Sequence, residues 1–225
     1  MKAQFDHFAE DYKALVDASI RISGEKLEYF ADYKARYIAK RVPPDFCGKV
    51  LDFGCGTGTL SSFIKQYLPR SKLHGYDVSS ESIRRISPIL SAYGYFTSDL
   101  SQLDKDYALV VLANVLHHVS PNQRGELIRE VTSRLARSGK LIIFEHNPAN
   151  PLVRGVVDRC PFDQDAILLR PKEAKHRMTE AKVRVAACDY IIFLPRVFSF
   201  LRPIEPRLSW LPLGAQYALV GEKDA

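Results

Sequence analysis

Two groups of residues in this chain have the types and spacing to do chemistry. The first is Asp52-Phe53-Gly54-Cys55-Gly56-Thr57-Gly58, with glycines in the pattern G-x-G-x-G. Glycines let a backbone pass close to a ligand that side chains would strike. The amides opening the next helix then face the bound molecule. A dinucleotide fingerprint, G-x-G-x-x-G, would need its third glycine at Thr59. Asp77 follows about twenty residues on, where an acidic group can accept hydrogen bonds from both ribose hydroxyls. The competing reading is that Asp77 caps a helix, a task Ser79 or Ser80 can also perform. The second group is His117, His118 and the pair Glu145-His146, which close two later strands. Histidine is the usual general base near neutral pH.

Val50 to Gly58 resembles the first motif of class I methyltransferases, and Ala113-Asn114-Val115-Leu116-His117-His118-Val119 resembles their fourth. The resemblance implies S-adenosylmethionine as cofactor. It places Asp52, Gly54, Cys55, Gly56, Thr57 and Gly58 around that cofactor, with Asp77 and Val78 at the ribose. It puts Asp99 on the adenine amino group, the Leu100 amide on the ring, and Asn114 at the methionine end. A plain surface turn is the alternative for Ser98-Asp99.

The sulfonium makes the methyl group electrophilic, and holding the acceptor in line supplies most of the catalysis. Strand ends are where the acceptor should sit. Glu145 and His146 are therefore the preferred catalytic pair, with His118 beside them and Glu145 orienting His146 or touching the cofactor. His7, His74 and His176 receive no role. No required metal is expected, because Asn114, Glu145, Asn147 and His146 offer too few carboxylate oxygens for a hard ion. No C-x-x-C pair joins any of the four cysteines. Neither Asn-Pro-Pro-Tyr nor a Pro-Cys catalytic pair follows the fourth strand, which argues against nucleic acid as the partner.

These groups need elements to hold them. Short apolar runs at Lys49–Phe53, Lys72–Tyr76, Tyr93–Thr97, Tyr107–Leu112 and Lys140–Phe144 alternate with helical patterns. Helices are expected through Leu60–Tyr67, from about Ser80 to Leu90, from Pro121 to about Ala136 and over Pro171–Ala181. Two more strands are expected at Arg184–Phe193 and Gln216–Gly221. The alternation predicts an α/β fold: a doubly wound, mostly parallel seven-stranded sheet with helices on both faces, as the resemblance also implies. Residues 1–44 read as an N-terminal helical lid, with Tyr12, Tyr33 and Lys34 as lid contacts. Residues 45–225 form the methyltransferase domain, with a Pro-rich, irregular acceptor-pocket insertion at about 147–182.

At 225 residues and 46% hydrophobic, the chain supports one sizeable core. The net charge of +6 suits either an ordinary basic surface or an anionic partner. Pro195 to Leu213 mixes Phe198, Phe200, Leu201, Leu208, Trp210 and Leu211 with Arg196, Arg202 and Arg207. That suits peripheral membrane contact through 195–213, or a helix packed on the core. No signal peptide or membrane span is visible, and a cytoplasmic protein is expected. The function expected is O-methylation of a small molecule, sugar or lipid-linked intermediate. The alternatives are a nucleic-acid or protein methyltransferase and a non-catalytic cofactor-binding protein.

Overall fold

The computed structural model describes residues 12–163 and 165–224. The expected helical stretch before Tyr12 lies outside the described residues, as do the side chains of Tyr12 and Phe162.

The strands are β1 (Lys49–Phe53), β2 (Lys72–Tyr76), β3 (Gly94–Thr97), β4 (Tyr107–Ala113), β5 (Leu135–His146), β6 (Val183–Ile191) and β7 (Gln216–Lys223). They form one seven-stranded sheet in the order β3-β2-β1-β4-β5-β7-β6. The pairs among β1 to β5 are parallel, and β7 runs antiparallel between β5 and β6. Strand order reverses between β1 and β4. In open α/β sheets a ligand crevice forms beyond the carboxyl ends at that reversal.

Alternating side chains divide the core between the two faces. Leu51, Val110, Leu112, Leu141 and Ile143 point to one face. There they meet Ile128 and Val131 of α6 (Arg124–Ser133) and Ala174 and Met178 of α8 (Pro171–Glu180). Val50, Leu109, Val111, Ile142 and Phe144 point to the other. They meet Ala31, Ala35 and Ile38 of α2 (Leu27–Ala39) and Leu60 and Ile64 of α3 (Thr59–Tyr67). The parallel strands are thus covered on both sides, which their continuous apolar runs require.

Several elements differ from expectation. The single helix expected near 80–90 is two, α4 (Ser80–Arg84) and α5 (Pro88–Ser91). Pro88 cannot donate to a continuing helix, and Ser87 restarts one by accepting from the Leu90 amide. The segment expected to be irregular contains α7 (Pro151–Val157). Asn150 caps it from Leu152 and Val153, with Pro151 at the first helical position. Strand β5 begins at Leu135, where the helix was expected to continue.

Arg196–Leu208 runs as 3-10 turns because Pro203 and Pro206 interrupt any α-helical ladder. It is no helix with its apolar face on the core. Val197, Phe198, Phe200, Leu201 and Ile204 are exposed large apolar residues. Buried Glu205 anchors the run by accepting from the Phe193 and Leu194 amides. Arg202 lies over the Tyr29 ring and donates to Glu25, tying this run to the N-terminal helices. Those helices comprise α2 and the preceding α1 (Tyr12–Ser19). Among the described residues no helix is long and apolar enough to cross a membrane.

Candidate active site

A cavity of about 980 Å³ opens at the carboxyl ends of β1, β4 and β5. One end is built almost wholly by backbone. Gly54 and Cys55 donate to the Tyr76 carbonyl at 2.7 and 2.9 Å, bending the chain away from β1. Gly54 has φ +84°, and a Cβ there would collide with Val115. Gly58 has φ +80° and opens α3, and a Cβ there would lie 2.8 Å from Leu90. A Cβ on Gly56 would meet nothing within 4 Å, so this loop edge is an open cradle.

Asp77 accepts from the Gly56 amide at 2.8 Å and the Ser79 amide at 2.9 Å, so it ties the loop to the end of β2. Helix α4 is capped by Ser79, which accepts from the Ser82 amide. Buried Asp52 accepts from Ser61 Oγ at 2.6 Å. Burial, with the Asp77 charge adding to it against the Ser61 bond, pushes Asp52 up to about 6.

Asp52, Gly54, Cys55, Gly56, Thr57, Asp77, Val78, Leu100 and Asn114 all border the cavity. Gly58 and Asp99 are not among the bordering residues. Gly58 sits against Leu90 beneath the loop. Asp99 is exposed and caps a short 3-10 turn by accepting from the Ser101 amide and hydroxyl. Its position is that of the surface-turn alternative.

Asn114 holds φ +60°, a conformation that non-glycine residues adopt rarely and mostly under local constraint. Its Oδ1 accepts from Lys34 Nζ at 2.5 Å, while its buried Nδ2 has no hydrogen-bond partner. Lys34 is itself buried on the core face of α2. Burial, opposed by Glu145 and Asp52, lowers its pKa to about 8. An open glycine cradle, an acidic residue at the second strand and a buried unpaired amide donor fit a cofactor with hydroxyl and carboxylate groups.

The other end is built from side chains. His117, His118, His146, Cys160 and Asp163 border it. Fully buried Glu145 accepts from the Leu116 amide and pairs with His117 Nδ1, both at 2.6 Å. Glu145 therefore orients His117, and the expected pair with His146 is not formed. Asp163 lies on the other side of His117, at 3.6 Å from Nε2. Burial opposes charge on His117, but Glu145 and Asp163 outweigh it and raise its pKa to about 9. Burial and then His117 lower His118 to about 4 and His146 to about 3. The ring of His146 lies 5.1 Å from that of His117.

Three contributors were missed by sequence reasoning or given too little weight. His117 was noticed but left out of the preferred catalytic set. Asp163 is brought in by the Cys160-Pro161-Phe162-Asp163 segment, and only its place in a long non-regular stretch hinted at a role. Arg124 gave no signal at all. It is fully buried, and its Nε donates to the Leu116 and Val119 carbonyls at 3.0 Å each. It also pairs with Glu173 and donates to the Ile167 carbonyl. This clamps the His117 turn to α8 and to the segment after Asp163. Asn147, one of the residues weighed for a metal, is held by the chain around it: its Oδ1 accepts from the Ala149 amide and its Nδ2 donates to the Pro212 and Gly214 carbonyls.

Residues 51–141 match a protein family described as a methyltransferase domain. Over 95% of this chain and 100% of the other, the fold superposes on a SAM-dependent methyltransferase from Archaeoglobus fulgidus, with TM-score 0.71 and 19% identity. Magnesium protoporphyrin IX methyltransferase from Synechocystis PCC 6803, solved with bound SAM, is similar over 93% of this chain and 84% of its own. Its TM-score is 0.61 and its identity 17%. The glycine motif falls within the residues that match the methyltransferase domain, and the fold is that of these solved methyltransferases. Among curated proteins it is similar to ribosomal RNA small subunit methyltransferase C of Aliivibrio salmonicida (strain LFI1238). The two are 31% identical over 129 residues, 52% of this chain and 38% of that protein. The matched region thus spans little more than a third of that relative's length.

Proposed function

We propose that this chain transfers the methyl group of S-adenosylmethionine to a hydroxyl of a small molecule, sugar or lipid-linked acceptor. The observation that carries this reading is one cavity joining the glycine loop at one end to three histidines at the other. Asp77 would hold the ribose, the loop around Gly56 and Thr57 would run beside the cofactor, and Asn114 Nδ2 would donate to its methionine end. The cofactor supplies an electrophilic methyl group, so the protein's main task is to align the acceptor with it. His146 would accept the hydroxyl hydrogen bond and take the proton as the new methyl–oxygen bond forms, with His118 beside it. Helices α1 and α2 would act as the lid, since Val16, Ile20, Leu27 and Phe30 border the cavity.

A lipid-linked acceptor is favoured by the chain that leaves the cavity wall. Phe193, Leu194 and Pro195 line the cavity, and the exposed apolar residues from Val197 to Ile204 follow directly. Arg196 and Arg207 are exposed within the same stretch. Apolar residues beside arginines suit an anionic membrane surface. In this reading the protein works in the cytoplasm against such a surface. The family match ends at residue 141, before His146 and the acceptor walls. The RNA in the Aliivibrio relative's name therefore remains the weaker reading.

Acceptor-dependent formation of S-adenosylhomocysteine tests the proposal across hydroxylated small molecules, sugars and lipid-linked sugars. His146→Ala should lower turnover by roughly 10²–10⁴-fold with cofactor affinity retained. Full activity in that variant would clear His146 as the base. Cofactor binding with no turnover on any acceptor would instead make this a non-catalytic binding protein.

A further inference from the structure

The acceptor end holds a convergence that methyl transfer alone does not use. Asp163 Oδ1 lies 3.4 Å from His118 Nε2 and 3.6 Å from His117 Nε2. One ligand atom from each of the three residues falls within 4.8 Å of the others. Asp163 is only 8% exposed, and its Oδ1 has no hydrogen-bond partner. A buried carboxylate oxygen in that state costs free energy unless a cation or donor reaches it. The far side of His117 is already held, with Nδ1 against Glu145 Oε2 at 2.6 Å. A carboxylate behind a histidine in this way fixes the ring and turns its other nitrogen toward a metal.

Coordination geometry sets how far apart ligand atoms lie. Ligand atoms about 2.0–2.1 Å from a tetrahedral ion lie about 3.3–3.4 Å apart. Around an octahedral ion with bonds of that length the separation is about 2.9 Å. One edge to Asp163, 3.4 Å, matches the tetrahedral value and the other, 3.6 Å, is slightly longer, so the choice of ion rests on the ligand types. Two imidazole nitrogens with one carboxylate suit zinc or a similar transition ion, whereas magnesium and calcium prefer oxygen throughout.

We propose that His117, His118 and Asp163 form a binding site for a divalent transition-metal ion, zinc by its ligand types, with the remaining coordination position open to the cavity. All three residues border that cavity, so the open position can take an acceptor oxygen. The inference rests on the methyltransferase reading for its purpose but not for its test. It narrows the acceptor to one that offers an oxygen ligand near the methylated position.

The test measures metal and cofactor separately. Full-length protein is stripped with chelator, exchanged into zinc alone, desalted and analysed by mass spectrometry. About one zinc per chain is expected. Cobalt alone should give the visible absorption of a tetrahedral site. His118→Ala and the near-isosteric Asp163→Asn should each lose the bound metal, with circular dichroism reporting their folding. Glu145→Gln should weaken zinc affinity roughly 10–100-fold. His176→Ala, at an exposed position, should retain it. Failure to retain zinc in the wild type, or equal retention in wild type, His118→Ala and Asp163→Asn, overturns the site. The first result would leave a proton on His117 as the bridge between Glu145 and Asp163; the second would place the zinc elsewhere on the protein. Calorimetry with S-adenosylmethionine on the stripped protein separates the two ideas. Cofactor binding without zinc binding rejects the metal and keeps the methyltransferase reading; zinc binding without cofactor binding does the reverse.

Discussion

The two ends of the cavity are built by opposite means. At the glycine-loop end, polar groups find partners within the loop, the helix it opens and the neighbouring strand end it is tied to. Asp52 reaches Ser61, Asp77 reaches Ser79 and Gly56, and much of the bonding is to backbone amides. At the histidine end, side chains bridge long separations. Glu145 meets His117, Arg124 meets Glu173, and Asn147 meets the Gly214 carbonyl. The first end is a loop conformation; the second is a network assembled by the whole fold. A loop keeps its shape when a distant contact fails, whereas a buried network loses several partners together.

The sharpest way to break this contrast is Arg124→Met. It leaves the Leu116, Val119 and Ile167 carbonyls and Glu173 without their donor. A loss of about 3–5 kcal/mol in urea unfolding is expected. A change below about 1 kcal/mol would mean the histidine end does not depend on this clamp. Asp77→Ala probes the loop end. Losing charge-assisted bonds to the ribose should weaken S-adenosylmethionine at least roughly 100-fold in calorimetry. Unchanged affinity would remove the ribose assignment.

Lys34 joins the two ends and gives a pH signature. Its folded pKa, lowered to about 8, lies below the ordinary 10.5. Below about 8 both folded and unfolded chains carry the proton, and the burial penalty is fully present. Between about 8 and 10.5 the unfolded chain binds more protons, so stability rises with pH. Cofactor-free wild type should gain on the order of 3 kcal/mol relative to Lys34→Met across that window. Parallel stability profiles for the two proteins would show that Lys34 titrates normally. The smallest effect on folding is expected at the exposed arm. Phe200 and Trp210 are each 73% exposed, so changing both to Ala should alter stability by less than about 0.5 kcal/mol per site. The same double variant should bind anionic vesicles more weakly. Unaltered vesicle binding would detach this arm from any membrane role.

The loop end was legible because its chemistry is local. G-x-G-x-G between strand and helix, with an acidic residue closing the next strand, specifies both the turn and its tie to Asp77. The sheet was legible for a similar reason, since apolar runs buried on both faces read directly as parallel strands. The reading failed where one residue redirected the chain or a partner was remote. Pro88 split a helix, and Asn150 with Pro151 started another inside the expected irregular stretch. Glu145 was read with its neighbour His146, but adjacent residues on a strand point to opposite faces. The partner it reached was His117, twenty-eight positions away.

By itself, then, the sequence determined where the strands lie along the chain, the glycine turn and the kind of ligand that turn suits, because these follow from periodicity and from the conformations glycine permits. Only the tertiary structure decided which histidine Glu145 holds, that Asp163 and Arg124 belong to the acceptor end, and that Asn114 meets Lys34. Those choices depend on which distant side chains are buried together. Burial makes each buried polar group seek a partner, and the partner it finds is set by the packing of the whole fold.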